Sequence, residues 1–498
     1  MFSAPRAPVQ PSARRSALSH APSRGLLTVL LSSALWSCAA PSAPAVTPTP
    51  APPLQPQTAW TPLFNGKDLS GWTTWLPSGG ANRDPDGVFR VQDGELRVLH
   101  IEDTGAEHDF GYVATTQPHT DYRLRLQYRW GKTTFAPRKD LPRDAGILYH
   151  LTGPDTIWPS SMEFQIMEGN TGDLWAINGT NLSTTVSSGS DGDPRYDPFG
   201  EALTTQFPAE SYKRVQRATD VPEDASGWND VELIVSGDEA VQVVDGQVTS
   251  RVTGIRAPDG SALRSGRIAL QAEGAEVTYR NIDLRPLAYL PPPSGATVLL
   301  ASGTDNAAAW QSRSGGAADW PVQAGTMTVR STAKPGDAAS TNDLRSAQAF
   351  GDMHLHLEFK VPVTRTGLPE QDRSNSGVYL QGRYEVQILD SFGQPLTGQD
   401  DLGAVYGLHA ASVNAALPAG TWQSYDIEFR AARWEGTQKT ADARVTVYLN
   451  GEKVQDDVAV TGSTMLGEPE AATDGPVVLQ DHGSEVQFRN IWVAPLEE

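Results

Sequence analysis

One phrase occurs twice in this chain. LQAEGAEVTYRNIDLRPL (270–287) returns as LQDHGSEVQFRNIWVAPL (479–496), with 10 of 18 positions identical and a spacing of 209 residues. The repeat is wider than the phrase. DAGILYHL (144–151) aligns with NSGVYLQG (375–382), SMEFQIMEG (161–169) with RYEVQILDS (383–391), and WNDVELIV (228–235) with WQSYDIEF (422–429). The blocks keep their order, so a whole domain has been duplicated, and the period is far too long for a solenoid. The Pro-rich LAYLPPPSGA (287–296) is the natural boundary. The expected domains are therefore 60–288 and 297–498, joined by a linker at 289–296.

Each repeat reads as strands. YRLRLQYRW alternates polar Arg123, Arg125 and Gln127 with apolar Leu124, Leu126 and Tyr128, the period-2 signature of a half-buried strand. VQVVDGQVTS and VTVYLNGEKV hold Asp-Gly and Asn-Gly between apolar runs, the strongest short hairpin signals. No long helical periodicity appears outside the N-terminal segment. The expected fold is all-β: two tandem β-sandwich or jelly-roll domains.

Charge narrows the partners. A formal net charge of −20 argues against nucleic acid and against a broad basic membrane patch. Abundant Gly, Pro and Trp suit a β-rich, sugar-handling protein. The single cysteine, Cys38, excludes a disulfide within the chain. It ends the apolar run LLTVLLSSALWSC, preceded by Arg14, Arg15 and Arg24, which reads as a secretory signal over 1–37. Leu35-Trp36-Ser37-Cys38 resembles a bacterial lipobox, so Cys38 is the expected lipidation site. Removal of 1–37 would leave a charge of −24, since that segment carries four Arg and no acid. Residues 38–59, rich in Pro, Ala and Thr, are expected to form an extended tether. The expectation is a lipid-anchored protein of the bacterial cell envelope, touching the membrane by its anchor only.

Chemistry concentrates in EFQIME and EVQILD. On a strand, Glu163 and Gln165 share one face and Phe164 and Ile166 the other; Glu385 and Gln387 repeat this in the second domain. A Glu-Gln pair on a polar sheet face is suited to binding a sugar. Glu168 and Asp390, at i+5, reach that face only through a bulge. The spacing resembles the E-x-D-x-x-E of concanavalin-like retaining glucanases, where two close carboxylates share the work, but Gln replaces the middle Asp. Alternation along the preceding strands places Leu148 and His150, and Tyr379 and Gln381, toward the cleft. Arg280 and Arg489 either pair with a strand carboxylate or polarise a ligand oxygen. His409 and His482 are loop residues able to act as acid or base. No paired-Cys or HxxxH metal pattern exists. SDGDPRYD (190–197) leaves a divalent cation, calcium or another, as the one open cofactor.

FNGKDLSGW (64–72), SGVYLQGRYEVQILDSFG (376–393) and LQDHGSEVQFRNIW (479–492) together resemble the 3-keto-disaccharide hydrolase domain family, over nearly all of the chain after the tether. The resemblance implies concanavalin A-like jelly rolls and a role in glycan breakdown. It implies substrates already oxidised to a ketone at C3: a base takes the C2 proton, the C1 substituent is eliminated, and water adds back. Carried over residue by residue, it marks Glu163, Gln165, Glu168, His150 and Arg280 in the first domain. In the second it marks Glu385, Gln387, Asp390, Tyr379, His482 and Arg489. Trp158, Trp175, Gln381 and His409 are the expected substrate contacts. Two readings stay beside it: a tandem carbohydrate-binding lipoprotein, with Trp72, Trp75, Trp158 and Trp175 as stacking platforms, and a concanavalin-like glucanase. The domains differ where Glu273 stands against His482, which suggests that their sites have separated in function.

Overall fold

The structure, a computed structural model, describes residues 59–102, 108–205, 212–331, 342–395 and 398–496. The expected leader, Cys38 and most of the tether lie outside them. Among the described residues the chain is built of strands, with one 3-10 turn at Glu370–Asp372. They form two sandwiches within one compact unit.

In the first sandwich an eight-stranded sheet runs, in spatial order, Tyr212–Val215, Leu174–Ile177, Ser160–Met167, Asp144–Thr152, Arg267–Ala272, Gly111–Thr115, Trp72–Leu76, Gly80–Ala81. This is the cleft sheet. Behind it lies an eleven-stranded back sheet centred on Tyr122–Thr134, Asn229–Ser236 and Ala275–Pro286. The alternation read from YRLRLQYRW is real. Tyr122, Leu124, Leu126, Tyr128 and Trp130 are buried, and the residues between them are not. They meet Tyr149, Phe164 and Ile166 of the cleft sheet in one core. The outward Arg123 is tied across the sheet to Glu232 at 2.6 Å.

The second sandwich repeats the plan with a five-stranded cleft sheet and an eight-stranded back sheet. Both expected hairpin turns form. Asp245 and Gly246, and Asn450 and Gly451, all have positive φ, the left-handed pair whose twist matches antiparallel strands.

The sandwiches are docked on one another. Ile234, Val241 and Val243 of the first back sheet pack against Leu417 of the second domain. Arg285, 2 % exposed, bonds Glu452 Oε1 at 2.5 Å and Asn450 O at 3.1 Å. Arg251 donates to Gly420 O at 2.9 Å. The first back sheet is therefore partly covered, whereas the first cleft sheet bears a small apolar cluster under Trp75 and Trp158 and, beside it, a cleft.

Candidate functional site

The site grows from the strand Ser160–Met167. Its alternation lifts Glu163 and Gln165 into a cleft of about 570 Å³ and sends Phe164 and Ile166 to the core. The neighbouring strand sets Gly146 opposite Gln165 and Leu148 opposite Glu163. Gly146 is required by space: a Cβ there would collide with Gln271 Oε1 and crowd Glu163 Oε1. Gln271 and Glu273 come from the repeated phrase itself. Trp158, Trp175, Ile177, Tyr212 and Arg214 form the walls.

Four carboxyls line this cleft: Asp173 is paired with Arg214 and Arg217 at 2.5 and 3.0 Å, and Asp144, Glu163 and Glu273 stand together on the floor. Burial lifts the affinity of Glu163 for its proton well above the usual range, the charges of Glu273 and Asp144 lift it further, and a hydrogen bond from Gln271 opposes them. Burial and Asp144 raise Glu273 to about 8, against Arg138. Burial raises Asp144 to about 7, although Arg138 lies 2.5 Å away and Gln165 Nε2 donates to it at 2.5 Å. Like charges this close cannot all ionise near neutral pH, so the group holds both a proton and a charge. That is the make-up of an acid and a base in one place. Gln271 Oε1 is buried over Gly146 and accepts no hydrogen bond.

Of the expected residues, Glu163, Gln165, Trp158 and Trp175 line this cleft. Others do not. Glu168 turns to the surface beyond the strand, where hydrogen bonds from Arg143 at 3.0 and 3.2 Å hold its carboxyl below its ordinary value. No bulge brings it round, so the glucanase pairing with Glu163 is absent. His150 sits at a register shift with φ +51. Its ring swings away from the cleft to Gly237 O at 3.0 Å, and burial lowers it to about 4. Trp72 is a core residue, its indole bonded to Leu63 O, whereas Trp75 stacks on Tyr112 at 5.6 Å.

Arg280 and Arg489 belong to the back sheets. Arg280 lies 3.9 Å over the Trp228 ring and donates to Gln127 Oε1 at 2.8 Å; Arg489 lies 4.1 Å over Trp422 and donates to Glu358 Oε2 at 2.5 Å. The repeated Arg-Asn-Ile is thus a clasp between back-sheet strands. Arg280→Ala is expected to cost about 1–2 kcal/mol of stability, from a lost cation–π contact and a charge-assisted bond, with kcat unchanged below the melting range. Thermal melts and initial rates on one preparation check this.

The second cleft sheet carries the matching side chains, as buried as those of the first but with different partners. Glu385, Gln387 and Tyr379 are buried. Tyr379 OH donates to Glu385 Oε2 at 2.9 Å and Gln480 Nε2 donates to Tyr379 at 3.1 Å. Burial raises Glu385 to about 8, with Tyr379 opposing. Gln387 is tied to Gln371 Oε1 and Asp400 O. Asp390 lies past the strand end, its carboxyl pushed up by burial. Gln381 bonds Phe350 O and His409 bonds Ala459 O, so neither faces the Glu385 cluster. His482 follows the strand Gly475–Leu479 with a buried Nδ1 that has no partner.

Sequence reasoning singled out Glu273 without giving it a role, and it missed Asp144, Arg138, Gln271 and Arg214. Asp144 opens a repeated block and Glu273 is the position where the repeats differ; Arg138 and Arg214 had no such signal. In the loop 190–197, Asp193 lies 3.4 Å from Arg214 and Asp197 accepts from Phe199 N. Among the described residues no three His, Cys, Asp or Glu side chains form a metal-holding group.

A jelly-roll sandwich with an acid floor and tryptophan walls has the build of a glycoside-handling protein. The sequence profile of the 3-keto-alpha-glucoside-1,2-lyase-like domain matches residues 59–285 and again 295–494, and the chain belongs to that family. No curated protein matches it. Among solved structures, a candidate glycosyl hydrolase from Parabacteroides distasonis is 36% identical, over 41% of this chain and 85% of that one, with a TM-score of 0.37. A second from the same organism is 15% identical, over 46% and 94%, with a TM-score of 0.30. A β-glucanase from Bacillus licheniformis is 12% identical, over 46% and 97%, with a TM-score of 0.28.

Proposed function

We propose that the chain cleaves 3-keto-glycosides, such as 3-keto-disaccharides, in the cleft of its first domain. The observation that carries this is the group of three proton-sharing carboxyls, Asp144, Glu163 and Glu273, on the floor of a cleft with room for a disaccharide.

A ketone at C3 acidifies the C2 hydrogen. Glu273, which ionises before the more strongly raised Glu163, takes that proton, and the electron pair passes into the C3 carbonyl as an enolate. The enolate collapses, forming the C1–C2 double bond and expelling the C1 oxygen, which takes a proton from Glu163. Water then adds at C1, and the net result is hydrolysis. A base whose pKa is lifted toward neutrality suits this demand better than an ordinary carboxylate. Arg138 keeps charge on Asp144 and lowers Glu273, which biases the remaining proton toward Glu163. Trp158 and Trp175 stack on ring faces. An envelope setting, with Cys38 acylated and 38–59 as tether, accords with the sequence of the leader.

The test follows release of free sugar from a 3-keto-disaccharide and from its unoxidised parent, with and without chelator, using residues 60–498. Cleavage of the keto form alone is expected. Equal cleavage of both would sink the elimination chemistry. Binding without cleavage would turn the protein into a carbohydrate-binding module, and loss of rate with chelator would add a metal.

A further inference from the structure

The second domain keeps much of the first cleft's equipment. Gly377 stands where Gly146 does, and a Cβ there would collide with Glu385 Oε1. Glu385 matches Glu163. Gln480 matches Gln271, and its Oε1 is likewise buried and unpartnered. Yet this face is covered by a piece of the chain itself.

The cover is the connection between Glu452–Val460 and Gly475–Leu479. It runs 14 residues, 461–474, where the first domain makes the same link with 10, 257–266. The shorter link closes in a local turn, Ala257 N to Ser261 O, and folds back through Leu263 N to Ile255 O. The longer one crosses the cleft sheet. Thr464 Oγ1 accepts from Glu385 N at 2.9 Å, and Thr464 N bonds Arg383 O. Met465 O accepts from Tyr379 OH at 3.3 Å, and Leu466 O accepts from Arg313 at 2.9 Å. The strap thus offers backbone oxygens to a tyrosine hydroxyl and a guanidinium, the donors that a sugar's hydroxyls would otherwise meet.

Of its side chains Thr464 is buried and hydrogen-bonded, whereas the two that follow add little to the closure. Met465 is 66% exposed and Leu466 46%. Leu466 also holds φ +61, a left-handed conformation unusual for a branched residue. Beyond Thr464 the strap is held by backbone hydrogen bonds rather than by burial of its apolar side chains, and it is strained at Leu466.

From this we infer that the second domain carries a latent saccharide-binding site, closed by the strap 464–466 and opened by a saccharide that displaces it. The inference rests on the reading of the first cleft as a saccharide site. Asn375 and His482 replace Asp144 and Glu273, so the proton-sharing group of the first domain is not reproduced, and the assigned role is binding.

The test compares two full-length chains, both carrying Glu163→Gln to prevent turnover. One has the natural strap; in the other, 461–474 is replaced by 257–266. Titration calorimetry with a 3-keto-disaccharide is expected to give one tight site in the first chain and two in the second. One site in both would overturn the strap and leave the first cleft's reading intact. No site in the natural chain but one in the graft would support the strap and sink that reading. No site in either would sink both. Should the graft misfold, amide exchange on the natural chain decides. Exchange at Thr464, Gly467 and Glu468 is expected to quicken several-fold as ligand exceeds first-site saturation, and unchanged protection there would overturn the inference.

Discussion

Glu163→Gln is expected to lower kcat/KM for a 3-keto-disaccharide by about 10³-fold, while Glu168→Gln stays within about twofold of the parent. A positioned general acid or base contributes typically ~10²–10⁴-fold, and a thousandfold loss corresponds to about 4 kcal/mol of transition-state stabilisation. The two residues are five apart in one motif. Glu163 lies on the cleft floor between Gln271 and the other two carboxyls, whereas Glu168 lies outside, paired with Arg143 at 3.0 Å. Glutamine keeps the shape of each side chain and removes only the ionisable oxygen. Initial rates for both variants decide the matter. If Glu168→Gln proves the damaging one, the assignment of Glu163 as the acid falls.

The same substitution should stabilise the protein in alkali. Asp144 at about 7, Glu273 at about 8 and the raised Glu163 all hold their protons more tightly folded than unfolded. Their contribution is therefore fully present below about pH 4, near the unfolded carboxylate values, and is lost as pH rises toward 8. Glu163→Gln removes one of the groups that ionisation must crowd together. At pH 8 it is expected to melt ~2–4 °C above the parent, the shift for about 1 kcal/mol in a domain of this size, with the gap closing toward pH 4. A site that loses activity and gains stability by one change stores unfavourable charge for its chemistry.

The repeated Arg-Asn-Ile phrase shows how far the sequence could be read and where reading stopped. Alternation correctly set Arg280 opposite Val277 and Tyr279, both buried in the core. Parity tells which face of its own strand a residue occupies, but not to which sheet of a sandwich the strand belongs. Arg280 therefore faces outward from the back sheet, on Trp228, rather than into the cleft. His150 failed differently. A register shift between Tyr149 and Thr152 breaks the period of two, and every face assignment beyond it is lost. Glu163 and Gln165 were legible because their strand is regular and paired on both sides. Asp144 and Glu273 sit at strand ends, where alternation says little, and Arg138 reaches the floor from a connection whose path only tertiary packing determines.

The largest stability loss is expected from Asp426→Ala, in the second back sheet. Asp426 is 3 % exposed and accepts from His356 Nδ1 at 2.8 Å, with His354 Nε2 at 3.4 Å. His356 Nε2 faces Glu358 Oε1 at 3.6 Å, Asn490 lies against both, and the imidazole stacks on Trp492 with centroids 5.1 Å apart. Burial by itself would pull His356 down; Asp426 and Glu358 override it and raise it to about 9. Burial likewise opposes the charges on Asp426 and Glu358, yet His356 keeps both below their ordinary values. The histidine's contribution is whole below about pH 6.5 and disappears as pH climbs through 9, and those of the carboxylates are whole above about pH 4.5 and disappear in acid. Between those limits all three charges support one another. Removing one partner leaves a buried imidazolium without its nearest counter-charge, a loss of about 3–5 kcal/mol, read by urea unfolding at pH 6. The gap between parent and variant should narrow as pH approaches 9, because the histidine then loses its charge in both. A gap that does not change with pH would mean that packing around Trp492, rather than charge, accounts for the loss. His356→Leu combined with Asp426→Leu separates the two: it should recover part of the loss if charge dominates, and deepen it if the stack on Trp492 does.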